Sequence, residues 1–333
     1  MSVGSRPLGR SGLTTSTLAL GTMMFGAWGN PDEAQCRRMV DLAIDGGVTL
    51  FDTADMYDFG VSEEILGRAL RGRRDGVLVA TKVGNPMSDD PAERGLSPRW
   101  IRHQCEASLR RLGTDRIDLY QLHRPDPATP IDETLGALHE LVTSGKIRAI
   151  GTSTFSAAQL DQAQSAATAG GFTAPTTEQP PFSVFARGIE REVLPACHRH
   201  GLGVLVWAPL NGGWLTGKYR PTATAAAPAD AGSRAERQPD HFDHRDAAIR
   251  TRKVELVEQL AAVADGAGLT LTQLALGFVL ADPAVSAALI GPRTPEQLTQ
   301  LLSAGHQPLS ADVLSAIDAM APPGENVNPA DAG

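Results

Sequence analysis

Short β-branched or apolar runs recur eight times along this chain, each followed by a stretch in which apolar residues recur every three or four positions. The runs are Thr17–Gly21, Val48–Asp52, Val77–Lys82 and Ile117–His123, then Ile147–Ser153, Thr176–Gln179, Gly203–Leu210 and Ser286–Gly291. Runs that are apolar throughout, rather than at alternate positions, are buried on both faces, as in a parallel sheet covered by helices. The intervening segments carry helix boundaries. Asp32 and Gln35 form a D-x-x-Q start before an amphipathic stretch that ends at Gly46–Gly47. Ser97-Pro98 and Thr294-Pro295 open two more, with Pro at the first helical position, where a backbone donor is idle. Eight such units predict an α/β fold of the (β/α)8 TIM-barrel type. An open doubly wound sheet, the competing architecture, would want a G-x-G-x-x-G turn after its first strand, and that turn is absent.

Three parts fall outside the repeat. Residues 1–16 read as a turn-rich N-terminal hairpin across the barrel bottom, and 220–246, rich in Ala, Pro and Thr, as a long loop. Two helices, around Ala247–Asp265 and Leu271–Ala281, precede the last strand; a further helix, Ala311–Met320, and a tail at 322–333 follow it. All 333 residues are read as one domain.

Composition narrows the function. A chain that is 42% hydrophobic and 20% charged folds as a globule, and a net charge of −8 argues against nucleic acid as partner. Cys36, Cys105 and Cys197 are odd in number and far apart, which predicts free thiols in a reducing compartment. Without a signal-like start or an apolar run near the ~20 residues of a membrane span, the expected location is cytoplasmic, away from the membrane. Nothing in the sequence sets an oligomeric state. The HFDHRD segment at His241–Asp246 lacks a third ligand set at fixed spacing, so no metal is expected. The HRH at His198–His200 reads as an exposed helix end, its positive charge favoured by the dipole.

Polar residues stand at the C-terminal ends of the strands: Asp52, Lys82, His123, Ser153 and Gln179 on strands two to six. That rim is the functional face of a (β/α)8 barrel. Asp52 and Lys82 could partner one another there, since burying either charge alone costs several kcal/mol. Tyr57 lies in the loop after Asp52.

In these residues the sequence resembles the aldo-keto reductase family, through LALGTMMFG, FDTADMYDFGVSEEILGRAL, ATKVG, IDLYQLHRPDP, KIRAIGTSTF, VWAPLNGGWLTGKY and IGPRTPEQL. The resemblance covers nearly the whole barrel. It implies a catalytic tetrad of Asp52, Tyr57, Lys82 and His123, with a nicotinamide cofactor held extended across the barrel mouth. The chemistry agrees: carbonyl reduction needs a proton for the developing alkoxide, and a free Tyr, with a pKa of about 10, is too weak an acid near neutrality. A lysine ammonium beside it would favour the phenolate.

The resemblance also implies cofactor contacts from Gly21, Thr22, Met23, Asp52, Ser153, Thr154 and Gln179, and from Trp207 stacked on the nicotinamide ring. Ala208, Pro209, Leu210, Asn211, Gly213 and Lys218 would follow the pyrophosphate, and Gly291, Arg293 and Gln297 the far end. Arg293, just before a helix start, suits a 2′-phosphate, which favours NADPH over NADH. Two positions depart from the commoner pattern: Thr154 where Asn is usual, and Leu301 where an Asn often meets the adenine. The substrate, a small-molecule carbonyl compound such as a sugar-type one, would lie against Met23, Trp28, Met56, Phe59 and Arg124. Arg124 would meet an anionic substrate or pair with Asp126. Two other functions are weighed: a nicotinamide-binding regulatory subunit similar to the potassium-channel β subunits, and a Schiff-base aldolase using Lys82.

Overall fold

The computed structural model describes residues 3–220, 246–305 and 307–332. Its first two strands, β1 (Ser5–Pro7) and β2 (Thr14–Ser16), form the antiparallel N-terminal hairpin. Eight more close into a barrel: β3 (Leu18–Gly21), β4 (Leu50–Asp52), β5 (Leu78–Val83), β6 (Ile117–Leu122), β7 (Ile147–Ser153), β8 (Thr177–Gln179), β9 (Gly203–Val206) and β10 (Val285–Ile290). They pair in parallel in that order, and β10 returns to β3, so the predicted TIM barrel is the observed fold.

Helices α1 (Glu33–Asp45), α2 (Val61–Ala69), α3 (Pro98–Leu112), α4 (Ile131–Thr143), α5 (Ala157–Gly170) and α6 (Val193–His200) follow β3 to β8 one by one. Between β9 and β10 come α7 (Ala247–Gly266) and α8 (Leu271–Val279); α9 (Pro295–Ala304) and α10 (Ala311–Met320) follow β10. The predicted starts act as caps: Ser97 accepts from Trp100 N and Thr294 from Gln297 N, each at 3.3 Å. Asp32 accepts from Ala34 N and Gln35 N, but Gln35 bonds the Asp32 carboxylate instead of its backbone N–H, which Asn30 Oδ1 already takes.

Several strands are shorter than their apolar runs, for local reasons. The seventh, expected to reach Leu210, stops at Val206. Ala208 adopts a left-handed φ of 54°, and Pro209 has no N–H to donate to a ladder. Val48 is held by the end of α1, its N–H bonded to Ala43 O.

The hairpin plugs the barrel bottom. Leu8 and Leu13 join Ala19, Leu50, Ala80, Leu119, Ala149, Leu205 and Ala287 in one apolar layer inside the barrel. Gly9 makes this approach possible: a Cβ there would lie 2.1 Å from Thr176 O. Two residues further along β4, β5 and β6 the apolar layer gives way to Asp52, Lys82 and Gln121, because side chains of one strand share a face at every second position.

The predicted 220–246 loop lies outside the described residues apart from Arg220 and Asp246, as does the HFDHRD segment apart from Asp246, which caps α7. The three cysteines are buried and free. Among the described residues no single helix is long and apolar enough to cross a membrane.

Candidate active site

Strand direction gathers the four predicted tetrad residues at the top of the barrel. Lys82, on β5, is buried, and its Nζ donates to Asp52 Oδ1 at 2.5 Å, Thr53 O at 2.8 Å and the Tyr57 hydroxyl at 3.2 Å. Burial disfavours the ammonium, but Asp52 and Tyr57 outweigh it and hold the Lys82 pKa above its ordinary value. With three oxygens taking its three N–H groups, Lys82 offers no lone pair to a carbonyl carbon. That counts against a Schiff-base role.

Asp52 is anchored from its other oxygen as well. Oδ2 accepts from Gln121 Nε2 at 3.0 Å and Gln179 Nε2 at 2.8 Å. Gln121 was not read as a site residue, although Leu119, Gln121 and His123 alternate along β6 in the way that inward residues must. Gly151 makes room for it: a Cβ there would lie 2.9 Å from Gln121 Cγ.

His123 follows β6, edge-on to Tyr57 with ring centroids 5.8 Å apart. Burial first, then the Lys82 and Arg124 charges, push its pKa well below the usual histidine value, so the imidazole is neutral near pH 7. Tyr57 itself sits at the start of a 3₁₀ turn in which Asp58 and Phe59 are both left-handed, at φ 48° and 52°. Asp58 secures this turn by accepting from Ala27 N at 2.7 Å, which ties the Tyr57 loop to the Trp28 loop.

The tetrad opens into a cavity of about 770 Å³, within the range of cofactor sites. Of the predicted cofactor contacts, Gly21, Met23, Asp52, Ser153, Thr154, Gln179, Trp207, Ala208, Pro209, Leu210, Gly213, Lys218, Gly291, Arg293 and Gln297 line it. Two do not. Thr22 is buried behind it, its hydroxyl on Asp52 O and Ser62 Oγ. Asn211 turns away, donating to Asp331 Oδ2 and accepting from Lys253 Nζ. Thr154, where the family pattern has Asn, is held at φ 59°. Asn tolerates that left-handed conformation and a β-branched residue is strained by it.

Among the predicted substrate contacts, Met23, Trp28, Met56 and Arg124 line the cavity. Phe59 does not: it is exposed and packs edge-on to Trp28 at 6.1 Å, backing that wall from outside. Asp126 does not pair with Arg124; its oxygens accept from Leu96 N, Ala128 N and Thr129 Oγ1. Met24, Asn85, Thr272 and Gln300 also line the cavity and were not anticipated; Gln300 brings an amide beside Leu301. No cluster able to hold a metal ion occurs among the described residues.

A family model described as "Aldo/keto reductase family" matches residues 17–322. The chain is 40% identical over 326 residues to "Uncharacterized oxidoreductase YrpG" of Bacillus subtilis, covering 95% of each chain. It is 36% identical to "Aldo-keto reductase YhdN" of the same organism, over 87% of this chain and 85% of that protein. It is also 36% identical to "Probable voltage-gated potassium channel subunit beta" of Arabidopsis thaliana, over 89% of each.

Proposed function

This chain belongs to the aldo/keto reductase family of oxidoreductases, and from that premise we propose that it reduces an aldehyde or ketone to the alcohol with NADPH, using Tyr57 as proton donor. The observation that carries this reading is the Tyr57 hydroxyl 3.2 Å from a buried, charged Lys82 in the wall of a cofactor-sized cavity.

The residues present fit an extended dinucleotide. Trp207 offers a flat face, Ser153 and Gln179 offer polar groups beside it, and successive left-handed Asn211, Gly212 and Gly213 leave backbone open to a pyrophosphate. Lys218, Arg293 and the start of α9 bring positive charge for phosphates, and Arg293 is the group that would meet a 2′-phosphate. When bound, the cofactor supplies a hydride to the carbonyl carbon.

The chain's own residues do the rest. Tyr57 gives its hydroxyl proton to the carbonyl oxygen as negative charge develops there. Lys82 stabilises the phenolate left behind, and Asp52 fixes Lys82. His123, neutral, donates a hydrogen bond to the same oxygen and orients it. Tyr57 is half-buried, so solvent can return its proton. The substrate is then a small carbonyl compound lying against Met23, Trp28, Met56 and Arg124.

Purified protein given NADPH and 4-nitrobenzaldehyde should consume the reduced-cofactor absorbance in proportion to enzyme. A second reading, a nicotinamide-binding regulatory subunit, draws support from the 36% identity to the relative named as a channel β subunit. Cofactor binding with no turnover across a carbonyl panel would favour it and contradict the reductase.

A further inference from the structure

Beside the catalytic cavity lies a second one of about 510 Å³, and the two share Asn85 and Arg124. It is walled by the loops that follow β5 and β6 and reaches Ser97, the cap of α3. Three arginines line it, Arg94, Arg99 and Arg124.

Such a cluster is out of keeping with a chain whose net charge is −8. Many of the other arginines meet carboxylates, as Arg68 does with Glu33, Arg102 with Glu140 and Arg116 with Asp75, although Arg6 and Arg10 bond neutral oxygens. Arg94 and Arg99 instead donate to the backbone oxygens of Asp89 and Ala92, at 3.3 and 3.0 Å. None of the three lining arginines has an ion pair among the described residues. Asp126 is the single carboxylate in the lining, and its oxygens are turned to Leu96 N, Ala128 N and Thr129 Oγ1 of its own surroundings. Three cations against one carboxylate leave the lining two charges positive. Guanidinium groups favour oxyanions, which they can bind through two parallel N–H bonds.

We propose that this second cavity is an anion subsite, and that the preferred substrates are carbonyl compounds carrying a carboxylate or phosphate at the end remote from the carbonyl. The carbonyl lies at Tyr57, the chain of the substrate passes Asn85 and Arg124, and the oxyanion sits among Arg94, Arg99 and Arg124. This rests on the reductase reading of the catalytic cavity. Because the three arginines are exposed, salt weakens the effect.

The test uses two aldehydes of similar shape, 4-carboxybenzaldehyde, ionised at neutral pH, and uncharged 4-nitrobenzaldehyde, with NADPH at low salt. The nitro group activates its carbonyl more strongly, so the two are compared by KM and not by kcat. The wild type should show a KM about tenfold lower for the carboxylate, a difference that shrinks as salt is raised. The Arg94→Ala/Arg99→Ala double variant should lose that difference through the carboxylate's KM, with kcat for both aldehydes within about twofold. Equal KM values in the wild type, or a variant that shifts both aldehydes alike, would overturn the subsite while leaving the reductase intact. If neither aldehyde is reduced, the reductase reading falls instead. The subsite is then judged on inorganic phosphate: a phosphate-induced rise in Tm lost in the double variant supports it, and one that persists unchanged overturns it.

Discussion

Lys82 and Lys253 are both withdrawn from solvent, and each meets an aspartate: Asp52 at 2.5 Å on β4, and Asp331 at 2.9 Å in the turn Pro329–Ala332. Judged by burial and ion pairing they are alike. Their other neighbours separate them. Lys82 also donates to a phenol hydroxyl in the wall of the large cavity, whereas Lys253 donates to the Asn211 side chain behind the glycine-rich turn. A buried ion pair is costly to desolvate and is weak evidence of stability by itself. What each pair holds in place distinguishes them: one holds a phenol, the other clamps the C-terminal turn to the loop that would carry the pyrophosphate.

The sharpest way to break the comparison is to remove each ammonium. Lys82→Met should lower kcat by about 10²–10⁴-fold, the range of a lost proton-transfer device. It also strands Asp52, so the double variant Asp52→Asn/Lys82→Met should recover thermal stability without recovering turnover. A double variant that reduces aldehydes at the wild-type rate would make Lys82 a structural lysine like the other. Lys253→Met should cost about 3–5 kcal/mol in chemical denaturation, because Asp331 is left buried without its cation. Its kcat should stay within about twofold while the KM for NADPH rises, since the clamp acts on the loop and not on the phenol. A collapse of kcat at full cofactor saturation would erase the distinction.

At the far end of the cavity, Arg293→Ala should weaken NADPH by about tenfold or more and NADH little, a difference set by one charge-assisted contact. Equal losses for both cofactors would remove the 2′-phosphate role.

The last effect, one on stability and not on turnover, concerns a carboxyl behind the site. Glu178 is buried, and burial lifts its pKa to about 7 against the opposing hydrogen bonds from Thr152 and the backbone. The Thr152 hydroxyl lies 2.5 Å from Glu178 Oε2 and 3.1 Å from Thr177 O. One hydroxyl proton cannot serve both oxygens, so a protonated Glu178 donating to Thr152 satisfies all three groups. The native state thus keeps a proton that the unfolded chain releases at its ordinary, lower pKa. The stabilisation is present below that pKa and is lost as pH rises through about 7. Glu178→Gln keeps the bonds without the proton. Between pH 5 and pH 8 the wild type should lose about 3 kcal/mol more stability than this variant. His123 contributes a slope of the opposite sign, weakening the fold as pH falls below its unfolded value, but it is common to both proteins and cancels. Parallel pH profiles would show Glu178 ionised in the native state.

Much of this was legible in the sequence because a barrel repeats one physical rule. β-Branched or apolar runs marked the strands, and the polar residues ending five of the eight marked the functional rim, so Asp52, Lys82 and His123 are legible from the sequence alone. Gln121 was overlooked because it lies inside its run, where only the inward alternation with Leu119 and His123 marks it. Thr22 and Asn211 are cofactor contacts only as the family resemblance implies them. Their side chains turn to Ser62 and to Asp331, 40 and 120 residues away, and no local pattern carries such a partner. Lys253 left no trace for the same reason: a lysine on the buried side of α7 looks like any helix lysine until Asp331 folds back onto it.

The central claim is that the phenol of Tyr57 delivers the proton while contributing little to holding the cofactor. Tyr57→Phe removes one oxygen and leaves the ring, so NADPH affinity and aldehyde turnover should be measured together on this variant and the wild type. The account predicts a fall in kcat of about 10²–10⁴-fold with a Kd for NADPH within about twofold of wild type. Turnover near the wild-type rate, or a loss of activity fully explained by lost cofactor binding, would contradict it.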